Sequence, residues 1–336
     1  MAEIVDVFDS NRFKAVTLSG HFSKKPYVPG RIGELGIFES DGMRTREMTI
    51  SSRAGKVSLI PATELGAPEP AHLNNKSKAL KFSATHLPLR GTITPAEIQD
   101  VLNLRSEGDQ LTTAQDVIDE KTMEMATYHD ATLEYQRLGA LKGQLLDADG
   151  STVLLDLFTA FGLSAPTAFS FILGTTTTPV QKKCQELYRA VRDALGGTPF
   201  RGIHCLVGDS FFDKLITHPE VKDAYANYST NSQLRTNYVP TGFDFCGIFF
   251  ENYRGSVSGV DFVGDNEGIV IPLGVPGMYQ TRFAPMNSTD WGNRKGLPRY
   301  ASLERLMHGR GIDVLTESDP ISICSYPEAI IPLTTN

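Results

Sequence analysis

The chain has 336 residues and carries 32 Lys plus Arg against 39 Asp plus Glu, a formal charge of -7. With no cluster of Lys or Arg, that balance excludes a protein that holds nucleic acid by neutralising its phosphates. A hydrophobic content of 40% and a charged content of 21% exclude a disordered chain.

This length is enough for two lobes, one of them discontinuous. The stretch Met1 to Ser10 is acidic and holds no base, so it reads as neither a secretory signal nor a transit peptide. No apolar run reaches bilayer-spanning length. Cys184, Cys205, Cys246 and Cys324 are far apart and form no CxxC or Cys/His metal spacing, so they read as reduced, buried thiols of a cytoplasmic protein.

Residues 1–43 read as an extended arm. Gly20, Pro26, Pro29, Gly30, Gly33, Gly36 and Gly42 punctuate it, and its apolar residues keep no period, so it needs another surface to lie on, such as a neighbouring subunit. From Met43 to Arg90 the pattern turns to strands. Met48 and Ile50, Val57 and Leu59, and Leu80, Phe82 and Ala84 alternate with polar residues. Between the second and third strands, Pro61 to Lys76 reads as the long tip of a projecting ribbon.

Thr94, Pro95 and Glu97 form a helix start, with Thr94 as cap, Pro95 at the first position, Glu97 closing the capping box and Ile93 stapled to Ile98. A long helix is then expected from Thr113 to Lys142. Thr112 and Gln115 have the capping-box spacing, Asp116, Asp119 and Glu120 suit the positive end of the helix dipole, and Gly143 is the stop. Its apolar stripe (Ala114, Val117, Ile118, Met125, Tyr128, Tyr135) is narrow and keeps no heptad, which sets a coiled coil aside. The opposite side, with Asp116, Asp119, Asp130, Glu134 and Arg137, is expected to face water or another subunit.

An Asp-Gly hairpin follows, with its turn at Asp147 to Gly150 and its second strand from Val153 to Phe161. Asp147, Asp149 and Ser151 imitate the opening of a calcium loop, but Phe158 stands where the closing Glu belongs. Thr178, Pro179 and Gln181 open an amphipathic helix with Val180, Cys184, Leu187, Tyr188, Val191 and Leu195 inward, stopped at Gly196 and Gly197. Then come a buried strand at Ile203 to Val207 and helices at Ser210 to Thr217 and Pro219 to Tyr228. Strands resume at Phe243 to Glu251, Asp261 to Val263, Gly268 to Leu273 and Met278 to Phe283. The segment Pro166 to Leu297 thus reads as an α/β lobe. After a polar loop holding Trp291, strands at Arg299 to His308, Ile312 to Thr316 and Ile321 to Ser325 return to complete a sheet beneath the long helix.

Chemistry is hard to place. Gly208-Asp209-Ser210 is similar to the nucleophile block of GDSL esterases, but the one late histidine, His308, has Arg305 three residues before it where an Asp would belong. The plainer reading is that Asp209 or Ser210 caps the next helix. Gly30, Gly33 and Gly36 follow no buried strand, so they support no phosphate loop. His204 and Cys205 point to opposite faces of a strand, and His72, His86, His129 and His218 have no partner in sequence. No catalytic, cofactor-binding or metal-binding residue is expected.

The order of parts resembles the major capsid proteins of tailed phages, an α+β HK97-type fold. Local sequence is similar to the lambda-like capsid protein E family: Ala140-Leu141-Lys142-Gly143 before the Asp-Gly hairpin, Val207 to Leu215 followed by Pro219-Glu220-Val221-Lys222, and Gly247 to Gly255. Gly277-Met278-Tyr279, Glu317-Ser318-Asp319-Pro320 and Tyr326-Pro327-Glu328-Ala329 extend it. The resemblance implies a structural protein, not an enzyme, that self-assembles as hexamers and pentamers into an icosahedral head enclosing double-stranded DNA without reading its sequence. It implies an arm at 1–43, an extended loop at 44–90, a peripheral domain at 91–165 with 298–336, and an axial domain at 166–297. The implied partners are a portal, a decoration protein and a separate scaffolding protein, since about ninety residues ahead of the first helix leave no room for a built-in scaffold. Assembly would occur in the bacterial cytoplasm and the product would be the virion. An encapsulin-like compartment is the alternative within the fold, and an esterase using Ser210 the alternative outside it. Lys76, Lys78 and Lys81 read as solvated lysines and not as cross-linking sites.

Overall fold

The computed structural model describes residues 30–52, 78–98, 110–228, 242–257 and 260–336. Residues 1–29 of the expected arm, the strand through Val57 and Leu59 and the tip from Pro61 to Lys76 lie outside the described residues, as do Lys76 and the end of the short helix near Arg105.

The described residues start with a one-turn helix, α1 (Arg31–Glu34), and a strand, β1 (Glu39–Gly42). This end of the expected arm is therefore regular structure, and β1 runs parallel to a later strand of the same chain. The paired strands β2 (Glu47–Ser52) and β3 (Lys78–Ser83) form the ribbon's root. In β4 (Leu87–Ile93), Leu87, Leu89 and Ile93 turn inward while Pro88, Arg90 and Thr92 are exposed, the alternation of a half-buried strand. The capping box forms as expected: Thr94 N donates to Glu97 Oε2 at 2.9 Å, and Glu97 N to Thr94 Oγ1 at 3.4 Å.

The long helix α2 (Gln110–Lys142) has 33 residues, about 50 Å at 1.5 Å per residue. It starts three residues ahead of the expected point, which puts Thr112 inside it and not at a cap. It ends at Gly143, whose φ is +86°. The hairpin β5 (Gln144–Leu146) and β6 (Val153–Asp156) follows. The expected strand from Val153 to Phe161 ends early, because the Asp156 carboxylate accepts the Thr159 amide at 3.0 Å and caps a short helix, α3 (Leu157–Phe161).

After β7 (Phe169–Ser170), the amphipathic helix α4 (Val180–Ala194) buries Val180, Cys184, Leu187 and Val191. Its cap differs from expectation. Thr178 Oγ1 turns to the Ile172 carbonyl at 2.8 Å, and the first-turn amides of Val180 and Gln181 donate to Glu220. Next come β8 (Gly202–Val207), α5 (Asp209–Thr217) and α6 (Pro219–Tyr228). The expected strand from Phe243 to Glu251 is a hairpin, β9 (Gly242–Phe245) and β10 (Ile248–Asn252). It folds back at Cys246 and Gly247, whose φ values of +54° and +80° suit a tight hairpin turn. The chain closes with β11 (Ser256–Val257), β12 (Val260–Asp261), β13 (Glu267–Leu273), β14 (Tyr279–Phe283), β15 (Tyr300–Arg305), β16 (Ile312–Ser318), β17 (Pro320–Cys324) and β18 (Pro332–Thr334).

These residues group into two compact units, each assembled from separated stretches. One draws on the described parts of Met1–Met48, Phe82–Leu138 and Tyr279–Ile323. In it α2 rests on the antiparallel sheet β15-β16-β4 through Ile93, Ile98, Ile118, Met125, Ile312 and Val314, and Ala126 meets Ala301. The returning strands thus lie beneath the helix, as expected. A second sheet has the order β1-β14-β17. The other unit draws on the described parts of Thr49–Lys81, Gly139–Met278 and Cys324–Asn336, around a six-stranded sheet of order β7-β18-β13-β8-β10-β9. β8 is parallel to β10 and antiparallel to β13, and Phe171 sets its ring edge against Phe211 and Phe250 at 5.6 and 6.0 Å.

Candidate functional site

The polar side of α2 is the first place to look for a working surface, and most of it is covered. Asp130, Glu134 and Arg137 are 6%, 4% and 7% exposed, which corrects the expectation of water or another subunit for these three, while Asp116, nearer the start of the helix, is exposed as expected. Burying these charges would be costly without partners. Asp130 pairs with Arg299 at 3.1 Å. Glu134 accepts the backbone amides of Ile32 at 2.6 Å and Gly33 at 3.2 Å, so its carboxylate sits at the amino end of α1. Arg137 donates to Ser40 Oγ at 3.1 Å and lies 5.6 Å from the Phe38 ring centre. Glu134 and Arg137 thus hold the stretch from Ile32 to Ser40 of their own chain against the helix. Met123, on the same side but nearer the start of α2, and Tyr128, on the opposite side, are 45% and 56% exposed; Tyr128 thus leaves the expected apolar stripe.

The Gly208-Asp209-Ser210 corner does not assemble a nucleophile. Gly208 is the residue ahead of α5, with no side-chain cap, so neither Asp209 nor Ser210 caps this helix. The Asp209 carboxylate is taken by Arg254 Nε at 2.8 Å, and that pairing lowers its pKa. His308 lies in the other compact unit, in the turn between β15 and β16. In the unit of Ser210, His204 Nε2 lies 2.9 Å from Glu251 Oε2, with both side chains buried, and its ring lies 5.1 Å from that of Phe249. Cys205 faces away as a fully buried thiol whose pKa burial pushes well above 9.0, and burial pushes Cys324 up to about 12. Such thiols stay protonated and inert. In the hairpin turn, the Asp149 carboxylate accepts the Thr152 hydroxyl at 2.6 Å and the amides of Thr152 and Ser151, both at 2.9 Å, and these bonds, the hydroxyl's first, lower its pKa.

One cluster has no signal in local sequence. His86, Glu317 and Asp319 converge at the end of the β4–β16 pairing, each offering one ligand atom within 4.8 Å of the others. His86 Nδ1 lies 2.7 Å from Asp319 Oδ1, and Arg46 Nη2 donates to that same oxygen at 3.2 Å. Glu317 and Asp319 are 8% and 0% exposed. Burial raises the Glu317 pKa, with the nearby Asp319 charge adding to it against His86 and Arg46. Glu317 and Asp319 are two apart along extended chain, which could have marked them as neighbours. Nothing in sequence points from them to His86.

Neither the covered strip nor the corner forms a catalytic constellation; what the described residues present is a long helix on a sheet, a ribbon root and a second α/β unit. The sequence profile of the phage major capsid protein E family matches residues 14–335. The chain belongs to that family. The major capsid proteins of Salmonella phage Felix O1 and of Pseudomonas phage KPP10 are each 27% identical to it, with 96% of both chains covered in each comparison. Among solved structures, the capsid of Myoviridae phage XM1 superposes with a TM-score of 0.52, covering 93% of this chain and 94% of that one at 12% identity. A phage-related protein from Bordetella bronchiseptica RB50 gives 0.50, covering 96% and 97% at 11% identity. The fold is thus α+β of the HK97 type, and the protein is a major capsid protein of tailed phages, a self-associating subunit of an icosahedral shell in the virion. The family match favours neither the encapsulin-like nor the esterase reading.

Proposed function

We propose that this capsid protein assembles as hexamers and pentamers into a head that encloses double-stranded DNA without reading its sequence, and that it performs no catalysis. The match to the capsid protein E family across residues 14–335 carries this reading. A portal, a separate scaffolding protein and a decoration protein are the partners we propose, with assembly in the bacterial cytoplasm. We divide the chain into an arm (1–43), an extended loop (44–90), a peripheral domain (91–165 with 298–336) and an axial domain (166–297). Support comes from α2 resting on β15-β16-β4 for the peripheral part and from the six-stranded sheet for the axial part. Two strands pair across those lines: β14 with β1 and β17, and β18 with β13 and β7. Deleting residues 62–75 tests the assembly role of the loop. The shortened chain should stay soluble as capsomers and fail to close shells under electron microscopy. Normal heads from that variant would show that the loop makes no assembly contact.

A further inference from the structure

We propose that His86, Glu317 and Asp319 form a binding site for a first-row divalent cation of the Zn2+ kind, placed at the root of the β2–β3 ribbon. The backbone brings the three together. β4 and β16 are antiparallel with Leu87 opposite Ser318, so the next residue on each side, His86 and Asp319, are also neighbours. Glu317 stands one pair back, opposite Pro88.

The unexplained feature is the state of the carboxylates. Glu317 Oε2 and Asp319 Oδ2 are both buried, and neither meets a hydrogen-bond partner. Buried polar atoms are almost always satisfied, and two orphan carboxylate oxygens in one cluster ask for a cation between them. Zn2+ held about 2.1 Å from each donor needs them roughly 3 to 4 Å apart, so shifts under about 1 Å close a set whose members already lie within 4.8 Å. One imidazole with two carboxylates suits a first-row transition ion better than Mg2+ or Ca2+, which take all-oxygen shells.

Arg46 is the competitor, because its guanidinium holds Asp319 Oδ1. Its side chain is 43% exposed, so it can turn to water when a cation enters. Arg46 directly precedes β2, and His86 stands three residues after β3. The Ala84 amide also bonds the Arg46 carbonyl at 2.9 Å. A cation bound here would therefore pin the root of the ribbon to the β16–β17 corner.

The test is titration of the full-length protein with Zn2+ by calorimetry, with bound metal counted by mass spectrometry. The wild type should take up one Zn2+ per chain at this site. His86→Ala, at an exposed side chain, should lose at least about tenfold in affinity while keeping its circular dichroism. Glu317→Gln gives the same readout should His86→Ala not fold. Arg46→Gln should bind more tightly than the wild type, a gain that a purely structural His86–Asp319 pair would not produce. No saturable Zn2+ uptake, uptake unchanged in both ligand variants, or Arg46→Gln binding no tighter than the wild type overturns the proposal.

Discussion

His129 is 6% exposed on α2, and its Nε2 lies 3.0 Å from Thr316 Oγ1. Burial, with the Arg299 charge as the second cause, lowers its pKa from 6.5 to about 4. Between those values the unfolded chain binds a proton that the folded chain refuses, so stability falls as pH drops from about 6.5 towards 4, by up to about 3 kcal/mol. Above pH 6.5 the ring is neutral in both states and contributes nothing to the slope. Glu317 acts in the opposite sense. Its raised pKa stabilises the folded chain at low pH, and that gain fades as pH rises through the folded value. The comparison that isolates His129 is urea unfolding of wild type and His129→Gln across this window. The variant should show the shallower loss on acidification, and equal slopes would place the acid sensitivity elsewhere. The same stretch of helix shows what sequence hides at this scale. Asp130, Glu134 and Arg137 read as a solvated face because they are charged, yet the partners of Glu134 are amides a hundred positions away. Local polarity carries no trace of a distant docking segment.

At the scale of elements, the helix ends can be set against each other. Gly143 stops α2 at φ +86°, and a Cβ there would come 2.4 Å from the Phe158 ring; Gly162 stops α3 at φ +73° with open space around it. Replacing either by Ala forces an L residue into the left-handed region, at about 1–2 kcal/mol. Gly143→Ala adds an overpacking cost of about 1–3 kcal/mol. Denaturation of the two variants should therefore show Gly143→Ala losing about twice as much stability or more. Equal losses would mean that Phe158 moves aside freely. Periodicity explains which elements were legible. The apolar face of α4, the alternation of β4, the Thr94–Glu97 box and the length of α2 are all local patterns. The turn at Cys246 was not legible, because an apolar run hides a reversal whose only local mark is Gly247. α3 is hidden because Leu157 to Phe161 reads as strand, and its one local mark is Asp156, the cap three residues ahead of Thr159. The His86 cluster was not legible because strand register, fixed only by the folded β4–β16 pair, creates it.

A shell multiplies whatever each subunit brings, and this one brings a formal charge of -7. Neighbouring copies repel over a range set by salt, with a screening length of about 30 Å at 0.01 M falling to about 8 Å at 0.15 M. Apolar burial between copies is far less sensitive to salt over that range. The described surface offers apolar side chains for such burial: Met123 and Tyr128 on α2, Val153 and Leu154 on β6, and Met307, 84% exposed in the turn after β15. If apolar contact drives closure and net charge opposes it, shell yield at fixed subunit concentration should rise as NaCl goes from about 10 to about 150 mM. Light scattering, with particles confirmed by electron microscopy, measures this. A yield that falls over the same range would show that ion pairs between copies outweigh the net repulsion, and that the charged residues form the joints of the shell. The same sign of charge bears on the cargo. If the head encloses double-stranded DNA as proposed, subunits of net negative charge gain little from counter-ion release on it, so raising salt should change the closing of the shell and not any grip of the closed shell on its contents.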